Sequence, residues 1–133
     1  MALSIERPII LVVDDDPAAL NILQRLLYFL ARRYAVVAVD SGAAALAVIA
    51  ARAVALVITD LYMPGMNGIQ LTAAIKATTP TTRVAIITAY DVQDAARQAK
   101  AVGAEYVFPK PFMMMQLKQM LEESFPMPES DTR

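Results

Sequence analysis

Five short apolar runs, spaced along the chain, constrain its fold more than any other feature. They occupy residues 9–13, 35–39, 54–58, 84–87 and 106–108. Most are continuous rather than alternating, and they are rich in β-branched residues. That composition is typical of strands that are buried on both faces of a parallel sheet. We therefore predict five buried parallel strands.

The segments between these runs have the features of helices. Asp16 is a candidate N-cap followed by a proline, and leucines recur after it at helical spacing. Ser41 and Asp91 are candidate caps of two further helices, and Gly103 is a candidate C-terminal glycine. The last helix is predicted at about residues 112–125. Each predicted strand is thus followed by a predicted helix.

This alternation predicts a doubly wound α/β sheet with right-handed crossovers. The 133 residues suit a single domain. We place that domain at residues 9–125, with an N-terminal tail at 1–8 and a flexible C-terminal tail at 126–133. In such sheets the functional site lies beyond the carboxyl ends of the strands, where the strand order reverses.

The chain contains no cysteine and no histidine. Thiolate nucleophiles, disulfides and cysteine-ligated zinc are therefore excluded, as are a histidine general base and histidine metal ligands. Carboxylates, hydroxyls, lysines and backbone carbonyls remain, and the oxygen groups among them suit hard cations such as Mg²⁺.

Charge and hydropathy narrow the expected partners. Twelve basic and thirteen acidic residues give a net charge of −1, and the basic residues are scattered, which argues against a nucleic-acid surface. No apolar stretch approaches the ~18 residues of a membrane span, and residues 1–8 lack an apolar signal core. We expect a cytoplasmic protein with no nucleic-acid or membrane partner.

Polar residues gather at the predicted carboxyl ends of the strands. They are Asp14, Asp15, Asp16, Asp60, Thr88 and Lys110. Taken singly, each has a simpler interpretation as a helix cap, a turn residue or a surface lysine. Taken together, three carboxylates on adjacent strands would repel one another unless a divalent cation and the lysine compensate them. Such a set suits phosphoryl transfer, because carboxylates form aspartyl phosphates and Mg²⁺ bridges to phosphate oxygens.

Four segments resemble the signature set of bacterial response-regulator receiver domains. They are ILVVDDDP at residues 10–17, DLYMPGMNG at 60–68, Thr88-Ala89, and Lys110-Pro111-Phe112. The likeness covers residues 9 to about 125. It implies a flavodoxin-like fold with five parallel strands in the order 2-1-3-4-5 and five helices.

The resemblance also implies a set of roles at the site. Asp60 would be the phosphoacceptor. Asp15, Asp60 and the backbone carbonyl of Tyr62 would ligate Mg²⁺, with Asp14 acting through water. The donor would be a histidine kinase or a histidine phosphotransfer protein. The chain would be a regulatory phosphoacceptor that catalyses its own phosphorylation and dephosphorylation, rather than a conventional enzyme.

Two further roles concern how the phosphorylated state is held and transmitted. The resemblance implies that Lys110 pairs with the phosphoryl group and that its bond to Pro111 is cis, which costs an X–Pro bond only about 0.5–1 kcal/mol. Thr88 would move towards the phosphoryl oxygen. Receiver domains usually carry an aromatic switch residue three positions before the lysine, but Val107 stands there. The usual aromatic switch is therefore in question.

Three consecutive methionines, at 113–115, begin the last predicted helix. Each helical residue advances by about 100°, so three in a row cover roughly 300° of the surface and cannot all be buried. Exposed methionine can form an adaptable contact surface. We expect a second copy of the chain or an effector to bind through the last helix and the fifth strand.

A haloacid-dehalogenase-like phosphatase would also use an aspartate nucleophile. Asp14 and Asp16 have the D-x-D spacing of that family, and Thr88 resembles its second motif. The family has another acidic motif after the lysine, and here only helical and tail acids follow Lys110. A phosphatase of this kind would also leave Asp60 without a role.

A binding module and an inert scaffold fit the sequence less well. A flavin- or nucleotide-binding module needs a phosphate loop rich in glycine or in serine and threonine after the first strand, and three aspartates there have the wrong charge. A receiver-like scaffold that is never phosphorylated would have no need of the complete set of acids, threonine and lysine.

Two tyrosines follow the predicted active edge. Tyr62 lies two residues after Asp60, and Tyr90 lies two residues after Thr88. Each ring either covers a loop or shields the phosphoryl group from water. The second interpretation predicts slow self-dephosphorylation.

Overall fold

The structure is a computed structural model that describes residues 7–31, 33–89, 91–110 and 113–124, except for the side chains of residues 113 and 114. Helices and strands alternate along it. The elements are β1 (Ile9–Val13), α1 (Pro17–Leu26) with a 3₁₀ turn (Leu27–Leu30), β2 (Ala35–Val39), α2 (Gly42–Ala51), β3 (Val54–Asp60), α3 (Gly68–Thr78), β4 (Arg83–Thr88), α4 (Val92–Val102), β5 (Tyr106–Pro109) and α5 (Met113–Ser124).

The five strands form one parallel sheet in the order β2-β1-β3-β4-β5. The predicted fold class and strand order are therefore confirmed. The order reverses at β1, which lies between β2 and β3, so the crevice between the ends of β1 and β3 is the switch point. β3 continues past its apolar run to Asp60, which pairs with Ile87 of β4.

The strand residues alternate between two apolar layers. One layer packs β1, β3 and β4 against α2, α3 and α4 through residues such as Leu11, Val57 and Ile75. The other packs the same strands against α1 and α5 through residues such as Ile58 and Leu117. Burial on both faces is the reason that the strand sequences are continuous apolar runs.

Most helix ends lie where the capping residues predict. The Ser41 hydroxyl accepts from the backbone N–H of Ala44, and the Asp91 carboxylate accepts from that of Asp94. Asn67 and Gln70 form a reciprocal capping box at the start of α3. Gly103 ends α4 in the left-handed conformation with φ of 93°, which a glycine adopts without strain.

The leucine stripe that begins in α1 continues past the end of that helix. Leu27 and Leu30 are fully buried, but they belong to the 3₁₀ turn. In a 3₁₀ turn, side chains three residues apart share a face. The tighter turn therefore keeps both leucines in the core.

No helix within the described ranges is long and apolar enough to span a membrane. The predicted tails lie largely outside those ranges, since only residues 7 and 8 of the first tail are described. The tail boundaries therefore stay predictions.

Candidate functional site

The sheet register brings two acidic residues side by side. Val13 of β1 pairs with Thr59 of β3, so the next residue of each strand, Asp14 and Asp60, lies at the same edge. The backbone N–H of Asp14 also donates to Val39 of β2 at 3.2 Å. Asp14 is thereby fixed as an extension of β1.

Three carboxylates form one cluster at this edge. Oxygens of Asp14, Asp15 and Asp60 all lie within 4.8 Å of one another. Asp14 is buried, Asp60 is partly buried and Asp15 is exposed, so the cluster opens towards solvent on one side. Asp16 has another role, because its side chain accepts from the N–H of Ala18 at 3.0 Å and caps α1.

Lys110 contacts two of these acids. Its Nζ lies 3.3 Å from Oδ1 of Asp60 and 3.6 Å from Oδ2 of Asp14. Its backbone N–H donates to the carbonyl of Thr88 at 2.9 Å, which holds the lysine at the end of β5 beside β4. The structure thus brings the predicted lysine and the predicted acids together from opposite ends of the chain.

The charges at the site do not balance. Burial raises the pKa of Asp60 above its ordinary value; the Lys110 ammonium opposes this effect, and the Asp14 carboxylate adds to it. Three carboxylates converge in this partly buried crevice, and the Lys110 ammonium contacts two of them. A set of oxygen ligands with excess negative charge fits a small divalent cation such as Mg²⁺.

The loop after Asp60 turns back onto α3. The N–H of Leu61 donates to Ile87 of β4 at 2.9 Å, and the N–H of Gly68 donates to the carbonyl of Leu61 at 2.8 Å. Leu61 and Met63 are buried, whereas Tyr62 between them has 54% of its surface exposed. The loop is therefore anchored by alternate residues, and Tyr62 is exposed beside the carboxyl edge of the sheet.

Thr88 is fully buried as the last residue of β4 and is the register partner of Pro109.

Val107 is partly buried and packs against the layer formed with α4. The rings of Tyr106 and Phe108 are stacked, with centroids 5.9 Å apart, and belong to the opposite layer. Neither neighbouring aromatic therefore takes the place of an aromatic residue at position 107. Pro111 and Tyr90 lie outside the described residues.

The last helix has an apolar residue directed away from the core. Leu117, Met120 and Leu121 are buried, but Met115 has 79% of its surface exposed. The expectation that the methionine run cannot be wholly buried is confirmed for Met115.

Sequence reasoning missed one contact at the site. Gly68, the first residue of α3, lies directly against the carbonyl of Asp60. The Asn-Gly pair at residues 67–68 indicated the start of a helix, but nothing local to the pair indicated which residue the helix would touch.

Comparisons with known proteins agree with this geometry. A family model for the response regulator receiver domain matches residues 10–122. The response regulator protein FleR of Pseudomonas aeruginosa is 43% identical over 103 residues, which are 77% of this chain and 21% of FleR. The sensor protein GacS of Pseudomonas syringae is 35% identical over 124 residues, which are 90% of this chain and 14% of GacS.

A solved structure gives the same result. The crystal structure of the signal receiver domain of an HD domain-containing protein from Pseudomonas fluorescens superposes with a TM-score of 0.81 at 30% identity, covering 90% of this chain and 95% of that one. The chain spans about a fifth or less of the length of FleR and GacS. The likeness to those two proteins is therefore confined to one domain of each.

Proposed function

The chain belongs to the response regulator receiver domain family, and on that premise we propose that it accepts a phosphoryl group onto Asp60 from a phosphohistidine donor. The observation that carries this proposal is the position of the Asp60 carboxylate, which converges with those of Asp14 and Asp15 and lies 3.3 Å from the Lys110 ammonium. A histidine kinase or a histidine phosphotransfer protein is the donor class.

Mg²⁺ is the proposed cofactor, and Asp15, Asp60 and the backbone carbonyl of Tyr62 would hold it, with Asp14 acting through water. The cluster supports this assignment because its three carboxylates converge, and the Lys110 ammonium contacts two of them. When bound, the ion would neutralise excess carboxylate charge and polarise the phosphoryl oxygens.

The side chains of the site suit an in-line transfer. An oxygen of the ionised Asp60 carboxylate attacks phosphorus, the bond from phosphorus to the donor nitrogen breaks, and the donor imidazole takes the electron pair. The Lys110 ammonium then shifts its interaction from the carboxylate to a phosphoryl oxygen, where it offsets the charge that spreads over the equatorial oxygens. Hydrolysis of the aspartyl phosphate returns the resting carboxylate.

We further propose that Thr88 transmits the phosphorylated state. Its backbone carbonyl accepts from the N–H of Lys110, so a movement of one end of β4 acts directly on the end of β5. Val107 adjoins this region in β5. Valine has no aromatic ring, so no ring can rotate at that position. The switch in this chain would therefore be a shift of backbone and packing rather than a flip of a ring.

The first test is chemical. Incubated with Mg²⁺ and acetyl phosphate, the protein is expected to gain the mass of one phosphoryl group in intact mass spectrometry. Asp60→Asn should remove this gain, and EDTA should prevent it. Asp16→Asn is the matched control, because Asp16 is a helix cap outside the cluster and its loss should leave labelling intact. Labelling of Asp60→Asn at the wild-type level would refute the assignment.

The output surface is proposed to be α5 together with β5, bound by a second copy of the chain or by an effector. The exposed Met115 supports this choice. Light scattering after size exclusion, with and without the phosphoryl mimic beryllofluoride, separates the two versions. A mass increase that Met115→Ser abolishes supports the second copy, and an unchanged mass excludes it in favour of an effector.

A further inference from the structure

Helix α3 begins in direct contact with the backbone of the proposed phosphoacceptor. A Cβ added to Gly68 would lie 2.6 Å from the carbonyl oxygen of Asp60 and 3.1 Å from the Cα of Leu61. Real Cβ atoms essentially never come as close as the first of these distances to another heavy atom. The start of α3 can therefore occupy its place only because residue 68 has no side chain.

Three further interactions fix this first turn of α3. The N–H of Gly68 donates to the carbonyl of Leu61 at 2.8 Å. The buried Thr72 hydroxyl donates to the carbonyl of Gly68 at 2.7 Å. The capping box of Asn67 and Gln70 closes the same turn. The turn is thus a rigid support rather than a loose loop.

The Asp60 backbone has a second support on its other side. Asp60 pairs with Ile87 of β4, and the N–H of Leu61 donates to the Ile87 carbonyl at 2.9 Å. Residues 60 and 61 are therefore held between β4 and the start of α3. A group pushed in at residue 68 cannot be accommodated without moving one of these two supports.

We propose that Gly68 is a positioning residue for phosphoryl transfer, because the first turn of α3 sets the backbone of residues 60–62 and thereby aligns the Asp60 carboxylate with Lys110. The inference rests on the proposed function. The carboxylate must keep its place 3.3 Å from the Lys110 ammonium, and residue 62 supplies a proposed ligand carbonyl. A displacement of about 1 Å at a reacting group can cost about 100-fold in rate.

Gly42 provides a matched control elsewhere in the fold. It is the first residue of α2, as Gly68 is of α3, and each follows a capping residue. A Cβ on Gly42 would lie 2.8 Å from Sδ, 3.0 Å from Cβ and 3.1 Å from Cγ of Met66, so it too would clash. These close atoms all belong to the Met66 side chain, which would have to shift, whereas a Cβ on Gly68 would meet the backbone of Asp60 itself.

The experiment compares Gly68→Ala with Gly42→Ala in the full chain. The maximal rate of labelling is measured at saturating Mg²⁺ and acetyl phosphate, and the free energy of unfolding is measured in urea. We expect the rate to fall about 100-fold in Gly68→Ala and to stay within about 3-fold of wild type in Gly42→Ala, a difference of less than about 1 kcal/mol in the barrier. In the metal-free proteins, the amide NMR signals of residues 60–62 should move only in Gly68→Ala.

Thr72→Val is the second variant, because it removes the hydroxyl bond to Gly68 while keeping the side-chain volume. It should lower the maximal rate in the same direction by a smaller factor. If Gly68→Ala does not fold, Thr72→Val decides: a lowered rate supports the inference, and the wild-type rate overturns it. Equal rates for Gly68→Ala and Gly42→Ala would also overturn it. A wild-type protein that is never labelled would instead refute the proposed function.

Discussion

The two edges of the sheet use the same chemical groups for different purposes. At the carboxyl edge, Lys110 faces Asp14 and Asp60 at 3.3–3.6 Å, with Asp15 adding further negative charge. At the amino edge, Lys76 donates to Glu105 at 2.7 Å and to the carbonyls of residues 80 and 82 at 3.2 and 2.7 Å. The first lysine is outnumbered by acids, and the second is fully matched by acceptors.

The amino-edge group can be called the Lys76 clamp, comprising Lys76, Thr82 and Glu105. The other oxygen of Glu105 accepts from the N–H of Val84 at 2.8 Å, and the Thr82 hydroxyl donates to the carbonyl of Val54 at 2.7 Å. The clamp therefore ties α3, β3, β4 and the approach to β5 together. Its polar groups stabilise the fold because they satisfy one another, whereas those at the carboxyl edge keep unbalanced charge available for chemistry.

The largest expected effect is on the rate of phosphoryl labelling, which should depend on Lys110 and not on Lys76. Lys110→Met is expected to lower the rate of labelling by acetyl phosphate about 100-fold or more, as the loss of a group that stabilises developing charge commonly does. Lys76→Met should be labelled at a rate within about 2-fold of wild type, because Lys76 lies at the far end of the sheet. Time courses of intact mass measure both rates. Similar losses in the two variants would break the comparison.

The next effect is on stability. Lys76→Met removes a partly buried ammonium group that holds three acceptors, so we expect the free energy of unfolding to fall by about 1–2 kcal/mol. Urea unfolding followed by circular dichroism measures it. Lys100→Met is the control on the same side of the sheet, because Lys100 is exposed in α4, and it should change stability by no more than about 0.5 kcal/mol. An unchanged stability of Lys76→Met would show that the clamp does not stabilise the fold.

Removing the charge of Asp60 at the carboxyl edge should raise the free energy of unfolding, whereas Lys76→Met should lower it. The pKa of Asp60 is raised chiefly by burial above its ordinary value of 3.8, so the folded protein binds a proton more readily than the unfolded chain. The free energy of unfolding therefore falls as the pH rises from the pKa of Asp60 in the unfolded chain to its higher pKa in the folded protein. Asp60→Asn should be about 1 kcal/mol more stable than wild type at neutral pH, because it removes a carboxylate whose charge is disfavoured by burial.

That gain should shrink as the pH falls towards 3.8, since both proteins then carry an uncharged side chain at position 60. Urea unfolding of the metal-free proteins at several pH values checks this trend. A gain that is the same at all pH values would mean that packing, rather than charge, explains the stability of Asp60→Asn.

The smallest effect concerns the lifetime of the phosphorylated form. Tyr62 is exposed beside the carboxyl edge of the sheet. If the ring shields the aspartyl phosphate, replacing Tyr62 by Asn and Tyr90 by Glu should shorten the lifetime several-fold, or by about 1 kcal/mol in the barrier. Decay of labelled protein after removal of the donor measures it.

Tyr62→Phe is the control for this prediction, because it keeps the bulk of the ring and loses only the hydroxyl. Its lifetime should equal that of wild type. Decay of the double variant at the wild-type rate or more slowly would contradict shielding of the aspartyl phosphate. The tyrosine rings would then only pack over their loops.

Much of the fold could be predicted because its signals are local. Continuous β-branched runs indicated the five strands, and Ser41, Asp91 and Gly103 indicated helix ends that the structure has. The rule that functional residues follow the carboxyl ends of parallel strands then placed Asp14, Asp60 and the other polar residues at one edge. The strand order came from the family resemblance rather than from the spacing of the runs.

Only the tertiary structure decided which polar groups meet. The sequence already indicated Asp16 as the cap of α1, but it did not show that Asp14 would be buried and Asp15 exposed within one cluster. Lys76 and Glu105 are 29 residues apart, and no pattern along the chain pairs them. No pattern along the chain indicates the contact of Gly68 with Asp60 either.

The physical reason is the range of the interactions. Strand and helix patterns depend on neighbours a few residues away, so the sequence by itself determined the elements and the acids and lysine at their ends. The direction of the pKa shift of Asp60 depends on burial and on Lys110, which is distant along the chain and adjacent in space. Charge balance and close backbone contact exist only once the sheet has brought distant segments together, so the chemistry of the site was decided by the fold.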